Sequence, residues 1–351
     1  MAKVNPIGAW LTVNRACQLR CKWCYAEGTQ YQGQDEMDLE LAQDLTNILC
    51  DLRISPVRLI GGEPSLWRHL FDFNSFCRGV GIDTSLVTNS VNFGNDRFWE
   101  KYKANPCTNA GISVKAGNSE QFVDIVGVKQ GVFGKVAVGI RRYVEEFGSV
   151  GVGITYNSLY KKNLGEIVGY AIDAGANSVK IDFCHPSFKD GAVISEYMEE
   201  PRELAKNIEE MYPSLHEITE GRLFFEMNVP FCIWSDGFIE LLKSRKQIYS
   251  VCQLQKKNGL IFDTNGSVLL CNGLYEYPLG TYGHDFHDAS SLLELMNNEN
   301  SAQAYDRILA YPADACKDCS WWEECAGGCP MNWAVYDPES IVQSCGGAHC
   351  A

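Results

Sequence analysis

Through the first two thirds of the chain, short apolar runs bounded by turn residues alternate with stretches of helical periodicity. The runs at 10–13, 57–60, 84–88, 112–115, 151–156 and 179–183 predict strands. Between the first two, residues 39–52 predict a helix: Leu41, Leu45, Ile48, Leu49 and Leu52 share one face, and Asp38 stands where a cap belongs. Six strands alternating with helices imply a parallel sheet with right-handed crossovers. That number of units suits an open α/β fold, a partial (β/α)6 TIM-like barrel, rather than a closed eightfold one. Ligands of such a sheet sit at the C-terminal ends of its strands.

The pattern changes after about Tyr212. Residues 223–228 predict one more strand, and from Cys252 onward cysteine, glycine and aromatic residues dominate. Residues 260–262 and 268–270 flank Asp263-Thr264-Asn265-Gly266, the signature of a small β-hairpin. The expected organisation is a barrel over 1–215, a linking region over 216–250 and a cysteine-rich domain over 251–351.

Composition narrows the function. The chain has 351 residues, 46% of them hydrophobic, enough for a substantial core. A formal charge of −14 argues against a nucleic-acid surface, which needs clustered Lys and Arg. No run approaches the roughly 20 apolar residues of a membrane span, and MAKVNPIGAW lacks a signal core, so a cytoplasmic location is expected. Sixteen cysteines are then many for a reducing compartment, where metal ligation is the better use for them than disulfides. Their bunching agrees: three lie at Cys17, Cys21 and Cys24, and eight between Cys252 and Cys350. Cys50, Cys77, Cys107, Cys184 and Cys232 stand alone and are expected to be small apolar side chains.

Cys17-Gln-Leu-Arg-Cys21-Lys-Trp-Cys24 follows directly on the first predicted strand, so its three thiols belong at the barrel mouth. Three thiolates on a four-iron cubane leave one iron open, whereas a structural site is normally closed by four ligands; a zinc site with a fourth ligand elsewhere is the alternative. The second strand runs into Gly61-Gly62-Glu63-Pro64, where paired glycines let backbone approach a ligand.

A CxxxCxxC loop after the first strand, with Trp23 before its last cysteine, and a GGEP turn after the second resemble the radical S-adenosylmethionine superfamily. The resemblance implies that Cys17, Cys21 and Cys24 hold a [4Fe-4S] cluster, that Trp23 lies near the adenine of S-adenosyl-L-methionine, and that the turn of Gly61, Gly62, Glu63 and Pro64 meets its methionine amino group. It also implies that Thr88, Asn89, Ser113 and Asn157, at the ends of strands three to five, approach the rest of that cofactor. In such enzymes one electron from the cluster cleaves the cofactor to a 5′-deoxyadenosyl radical, which takes a hydrogen atom from the substrate. Many relatives carry an acidic residue near the end of strand four, where this sequence has Lys115.

The second cysteine set reads Cys252, thirteen residues, Gly266, four residues, Cys271; then Cys316-x2-Cys319-x5-Cys325-x3-Cys329; then Cys345 and Cys350. Its order resembles the SPASM domain, which houses two auxiliary four-iron clusters, and so implies three [4Fe-4S] clusters in all. By that resemblance Cys252, Cys271 and Cys329 hold an inner cluster, and Cys316, Cys319, Cys325 and Cys345 an outer one. The inner set lacks a fourth cysteine, so it keeps an open iron, takes Cys350, or sees Cys345 and Cys350 exchange roles. Trp321 and Trp322 shield a cluster or simply pack in the core.

Auxiliary clusters suit reactions in which a substrate radical loses a further electron. The expected activity is therefore oxidative modification of a peptide, as a cross-link or side-chain alteration during maturation of a ribosomally made peptide (RiPP). An electron donor such as flavodoxin or ferredoxin is implied. The first ligand is already residue 17, so recognition of the peptide is expected to use a separate leader-binding protein or another surface. The alternatives are a sulfatase-maturase-like dehydrogenase forming formylglycine, for which Asn272 stands where those enzymes have Asp, a small-molecule dehydrogenase, and a zinc-binding interaction protein. No catalytic acid or base stands out: for Asp182, His185, Arg141 and Arg142, solvated or core roles outweigh a place facing the substrate.

Overall fold

The strands predicted first pair as the pattern requires. In the computed structural model, which describes residues 3–249 and 252–343, β1 (Gly8–Asn14), β2 (Val57–Gly61), β3 (Thr84–Thr88), β4 (Asn109–Ser113), β5 (Gly151–Tyr156) and β6 (Ser178–Phe183) lie side by side in chain order, all parallel. Six helices connect them: α1 (Leu39–Asp51), α2 (Leu70–Gly79), α3 (Asp96–Ala104), α4 (Ser119–Val126), α5 (Phe133–Phe147) and α6 (Leu164–Asp173). This is a mixed α/β architecture with the partial barrel that the alternation predicts. In α1, Leu45, Ile48 and Leu49 are buried with Ala42, while Asp38 takes the cap position without a side-chain cap bond.

Strand four begins and ends earlier than the apolar run suggests, at Asn109–Ser113 rather than 112–115. Pairing sets its limits: Ser85 faces Asn109 and Thr88 faces Ile112 across β3. A polar residue is tolerated at the strand's start because the Asn109 side chain accepts from the Ser85 hydroxyl.

The sheet continues past six strands. After the hairpin β7 (Ser187–Lys189) and β8 (Ala192–Ile194) comes α7 (Pro201–Ile218), which begins with a Glu200 cap and Pro201 in its first turn. Strand β9 (Leu223–Glu226) then joins β6 in parallel, followed by α8 (Asp236–Ser244) and the two-residue β10 (Ile248–Tyr249) at the sheet's edge. On the opposite side β11 (Gly259–Phe262) pairs in parallel with β1, and β12 (Ser267–Leu269) and β13 (Gly280–Thr281) follow antiparallel, which completes eleven strands. The turn between β11 and β12 is the predicted one. Gly266 at φ +81° donates to Asp263 O at 2.9 Å, a conformation that costs glycine nothing.

Burial follows the layers. Strand β1 is buried along nearly its whole length, as expected of a parallel strand covered on both faces. Strand β6 alternates, with Val179, Ile181 and Phe183 buried and Lys180 and Asp182 on the half-exposed face beside Glu226. Between strand ends and α7, Glu199 is a buried carboxylate held by Lys161 at 2.7 Å, Tyr156 Oη at 2.8 Å and Asn207 Nδ2 at 2.6 Å. Its backbone carbonyl accepts from Tyr336 Oη at 2.7 Å, which ties the C-terminal segment to the barrel.

Candidate functional site

The loop after β1 carries Cys17, Cys21 and Cys24, and the end of β2 is pressed against the chain that leads into it. Gly62 N donates to Asn14 O at 2.9 Å and Glu63 N to Ala16 O at 2.7 Å. A methyl group on Gly61 would lie 2.4 Å from Asn14 O, and one on Gly62 would lie 2.4 Å from both Arg15 O and Ala16 O. Both positions therefore admit only glycine without a backbone shift. The GGEP turn fixes the approach to the cysteine loop as much as it offers backbone to a ligand.

Glu63 is buried and spends its carboxylate inside the protein. Oε1 accepts from Ser65 N at 3.1 Å and Thr88 Oγ1 at 2.6 Å, and Oε2 from Asn89 N at 2.8 Å, so the ends of β2 and β3 are clamped together. Burial raises its pKa, and these donors pull it back. Asn89 is thereby aimed at the loop: Oδ1 accepts from Gln18 Nε2 at 3.2 Å and Nδ2 lies 3.9 Å from Cys17 Sγ. Pro64 opens the short turn that follows. Ser113 ends β4, half-buried. Asn157 follows β5 with its side chain turned onto its own chain, donating to Thr155 O at 3.0 Å and accepting from Leu159 N at 3.1 Å. Trp23 packs edge-on against Tyr160, ring centroids 5.3 Å apart.

Burial disfavours a bare thiolate at two of the loop's cysteines. Burial pushes the Cys17 thiol up to about 12, and Glu63 and the two neighbouring cysteines add to the rise. Cys21 is pushed up to about 11 by burial, and Lys115 opposes the shift. Lys115, which sequence reasoning left without a role, is thus a positive charge directed at a thiol of the loop. Its carbonyl also accepts from Tyr160 Oη at 2.5 Å, which places it beside the Trp23 contact. A buried thiolate needs a compensating positive charge, and a metal held at Cys17 and Cys21 would supply it.

Two further trios form in the C-terminal region. Cys252, Cys271 and Cys329 lie close enough that a thiolate at one would disfavour ionisation of its neighbours, and Cys271 is pushed up to about 11, mainly by burial. Cys316, Cys319 and Cys325 form the other group, in which burial pushes Cys325 up to about 11 while Phe231 N donates to its sulfur at 3.2 Å. Among the described residues no three His, Cys, Asp or Glu side chains are arranged to chelate a single ion. Cys345 and Cys350 lie outside the described residues.

Around the last trio is a cavity of about 400 Å3, lined by Cys316, Cys319, Cys325, Trp321, Trp322 and, unexpectedly, Cys232. Gly327 and Gly328 have φ of +75° and +70°, and a methyl on Gly328 would lie 2.7 Å from Val229 C, so these glycines bring the segment before Cys232 against the trio. Of the other lone cysteines, Cys77 and Cys107 are core residues as expected, whereas Cys184 at the end of β6 shares a small cleft with Trp23 and Cys24. Arg142 bonds Phe93 O at 3.1 Å and Asp96 on the outer helices, away from the barrel mouth.

Comparison with known proteins agrees with this geometry. A family profile of the Radical SAM superfamily matches residues 11–170. The PqqA peptide cyclase of Methylobacterium nodulans is 23% identical over 335 residues, 92% of this chain and 81% of that protein. Among solved structures, Streptococcus suis SuiB bound to the precursor peptide SuiA superposes with a TM-score of 0.69 at 17% identity, covering 97% of this chain and 76% of that one. Native anSMEcpe with bound AdoMet and a Cp18Cys peptide gives 0.67 at 18% identity, covering 92% and 89%. At those identities the two structures establish the shared fold.

Proposed function

With residues 11–170 placing this chain in the radical SAM superfamily, we propose that it is a peptide maturase that oxidatively cross-links or alters a side chain of a ribosomally made peptide. The observation that carries the reading is the grouping of nine cysteines into three separate trios, one of which, Cys252, Cys271 and Cys329, is drawn together from stretches distant in sequence. The named relatives support the substrate class: one is a peptide cyclase, and two were solved with peptides bound. When bound, S-adenosylmethionine and a four-iron cluster supply a carbon radical able to take a hydrogen atom from the substrate.

The chain's own residues hold and position that chemistry. Cys17, Cys21 and Cys24 would ligate three irons, and Lys115 offsets charge at Cys21. The glycine turn sets the height of the loop, and Glu63 locks it to β3 so that Asn89 points at Cys17. Cys252, Cys271 and Cys329 would hold an inner auxiliary cluster, and the Cys316, Cys319 and Cys325 group an outer one, giving electrons taken from the substrate a way out of the site. The barrel over 1–215 and the cysteine-rich part over 251–351 divide these tasks, with 216–250 between them. Among the described residues no helix is long and apolar enough to cross a membrane. We place the enzyme in the cytoplasm, reduced by a flavodoxin or ferredoxin and, for its peptide, served by a leader-binding protein.

The test begins with anaerobic reconstitution and counting of iron, sulfide and zinc. About twelve irons per chain, falling to about eight in a Cys17→Ala/Cys21→Ala/Cys24→Ala variant, is expected. Deuterium transfer from a labelled candidate peptide into 5′-deoxyadenosine then identifies the substrate. Stoichiometric zinc with little iron would overturn the assignment.

A further inference from the structure

We propose that Tyr31, held over the cysteine loop by Arg20, donates a hydrogen bond from its hydroxyl to the Cys24 sulfur and so raises the reduction potential of the cluster bound there. The inference rests on the reading of Cys17, Cys21 and Cys24 as ligands of that cluster. Arg20 lies inside the loop, between Cys17 and Cys21. Its Nη1 donates to Cys17 O at 2.5 Å and to Leu19 O at 2.7 Å, and its backbone N–H donates to Val126 O at 2.9 Å, so the side chain folds back on its own loop. The guanidinium carbon then sits 4.2 Å from the centroid of the Tyr31 ring, a cation–π stack.

The chain bends sharply to put the ring there. Cys24 opens the short turn Tyr25–Thr29, and the two residues after it, Gln30 and Tyr31, take left-handed backbone with φ of +55° and +52°. Glycine adopts that conformation freely, but for a bulky aromatic residue it is strained and persists only where surrounding contacts enforce it. Here the contacts are the Arg20 stack and the cysteines. Burial, and after it Cys24, Cys21 and Cys17, oppose ionisation of the Tyr31 phenol, and Cys24 is its hydrogen-bond partner. A neutral phenol beside a thiolate is the donor of the pair. Hydrogen bonds to the sulfurs help to set a cluster's potential, because they favour the form that carries the extra electron. Arg20 adds a positive charge at the exposed rim of the same loop. Tyr31 touches a ligand, and is a positioning residue that acts through Cys24.

The test uses the full-length reconstituted protein in a redox titration followed by EPR, reading the cluster whose signal changes when S-adenosylmethionine is added. Tyr31→Phe keeps the ring and its stack on Arg20 but removes the hydroxyl. It should retain full iron and, at a fixed potential near the midpoint, lower the ratio of reduced to oxidised cluster by about threefold to tenfold, the loss of one hydrogen bond to a charged acceptor. Incorporation of 3-fluorotyrosine in place of Tyr31, a stronger donor of nearly the same size, should raise that ratio. Tyr282→Phe, which removes a hydroxyl bonded to Asp44 of α1 at 3.1 Å, should leave it unchanged. An unaltered ratio in Tyr31→Phe with full iron overturns the proposal, and an unaltered ratio with 3-fluorotyrosine overturns it if Tyr31→Phe does not hold its iron. A wild-type protein with no EPR signal that responds to S-adenosylmethionine would instead overturn the reading of Cys17, Cys21 and Cys24 as cluster ligands.

Discussion

Replacing Gly62 by alanine tests whether the glycine turn sets the position of the cysteine loop. The added methyl would stand 2.4 Å from the carbonyl oxygens of Arg15 and Ala16, and both partners are backbone. Relief to 3.0 Å needs a shift of 3.0 − 2.4 = 0.6 Å, and relief to an ordinary 3.4 Å needs 1.0 Å. The moving parts are the GGEP turn and the residues immediately before Cys17, so the displacement falls on the site. A misplacement of about 1 Å costs on the order of 100-fold in rate, and overpacking costs about 1–3 kcal/mol of stability. The assay is 5′-deoxyadenosine formed per minute by chemically reduced protein matched for iron content. Gly62→Ala should lose about two orders of magnitude. Gly111→Ala on β4, where a new methyl meets nothing within 4 Å, should stay within about twofold of wild type. A Gly62→Ala enzyme as fast as Gly111→Ala would refute the positioning role.

Three other perturbations follow from the buried charges and the thiol groups. Arg15 is buried between Asp35 at 3.8 Å and Asp263, so Arg15→Met should cost about 3–5 kcal/mol in thermal or chemical unfolding, and adding Asp263→Asn should recover part of it because the more buried of the two carboxylates is then no longer left without its cation. Glu199→Gln turns an acceptor toward three donors into a side chain that is itself half donor; a loss of about 2–4 kcal/mol is expected, and an unchanged melting temperature would count against the network. Cys252→Ala/Cys271→Ala/Cys329→Ala should remove about four irons and raise hydrogen exchange at β10 and β13 while β3 and β4 stay protected.

Much of this was legible in the residue pattern, because parallel strands under helices must be short apolar runs and Asp-Thr-Asn-Gly makes a hairpin turn whatever surrounds it. The limits of β4 were not, because cross-strand pairing to Ser85 and Thr88 fixes them and no apolar periodicity records it. Strands of two residues, such as β10 and β13, carry no period at all. The cysteine spacing singled out the trios but not Cys232, whose approach depends on glycines almost 100 residues away in sequence folding back on Val229 and Pro230. Lys115 was visible as an oddity, yet its charge acquires meaning only once β4 ends near Cys21.

The topology shows what a cluster held by the inner trio would do for the fold. Strand β10 is one edge of the eleven-stranded sheet and β13, next to β12, is the other, so the partial barrel has an open seam between them. Cys252 follows β10 by three residues, and Cys271 follows β12 by two, which brings one thiol from each side of the seam. Cys329 arrives from the C-terminal segment, its N–H bonded to Asn228 O at 2.9 Å just beyond β9. Backbone pairing cannot close this gap, because β10 contributes only two residues and pairs with β9 alone. Ligands drawn from both edges onto one metal cluster would close it, since binding to the folded arrangement adds its free energy to folding. The same cluster would then serve as wall and electron acceptor for the interior it seals, and one group of thiols would meet a structural and an oxidative need together.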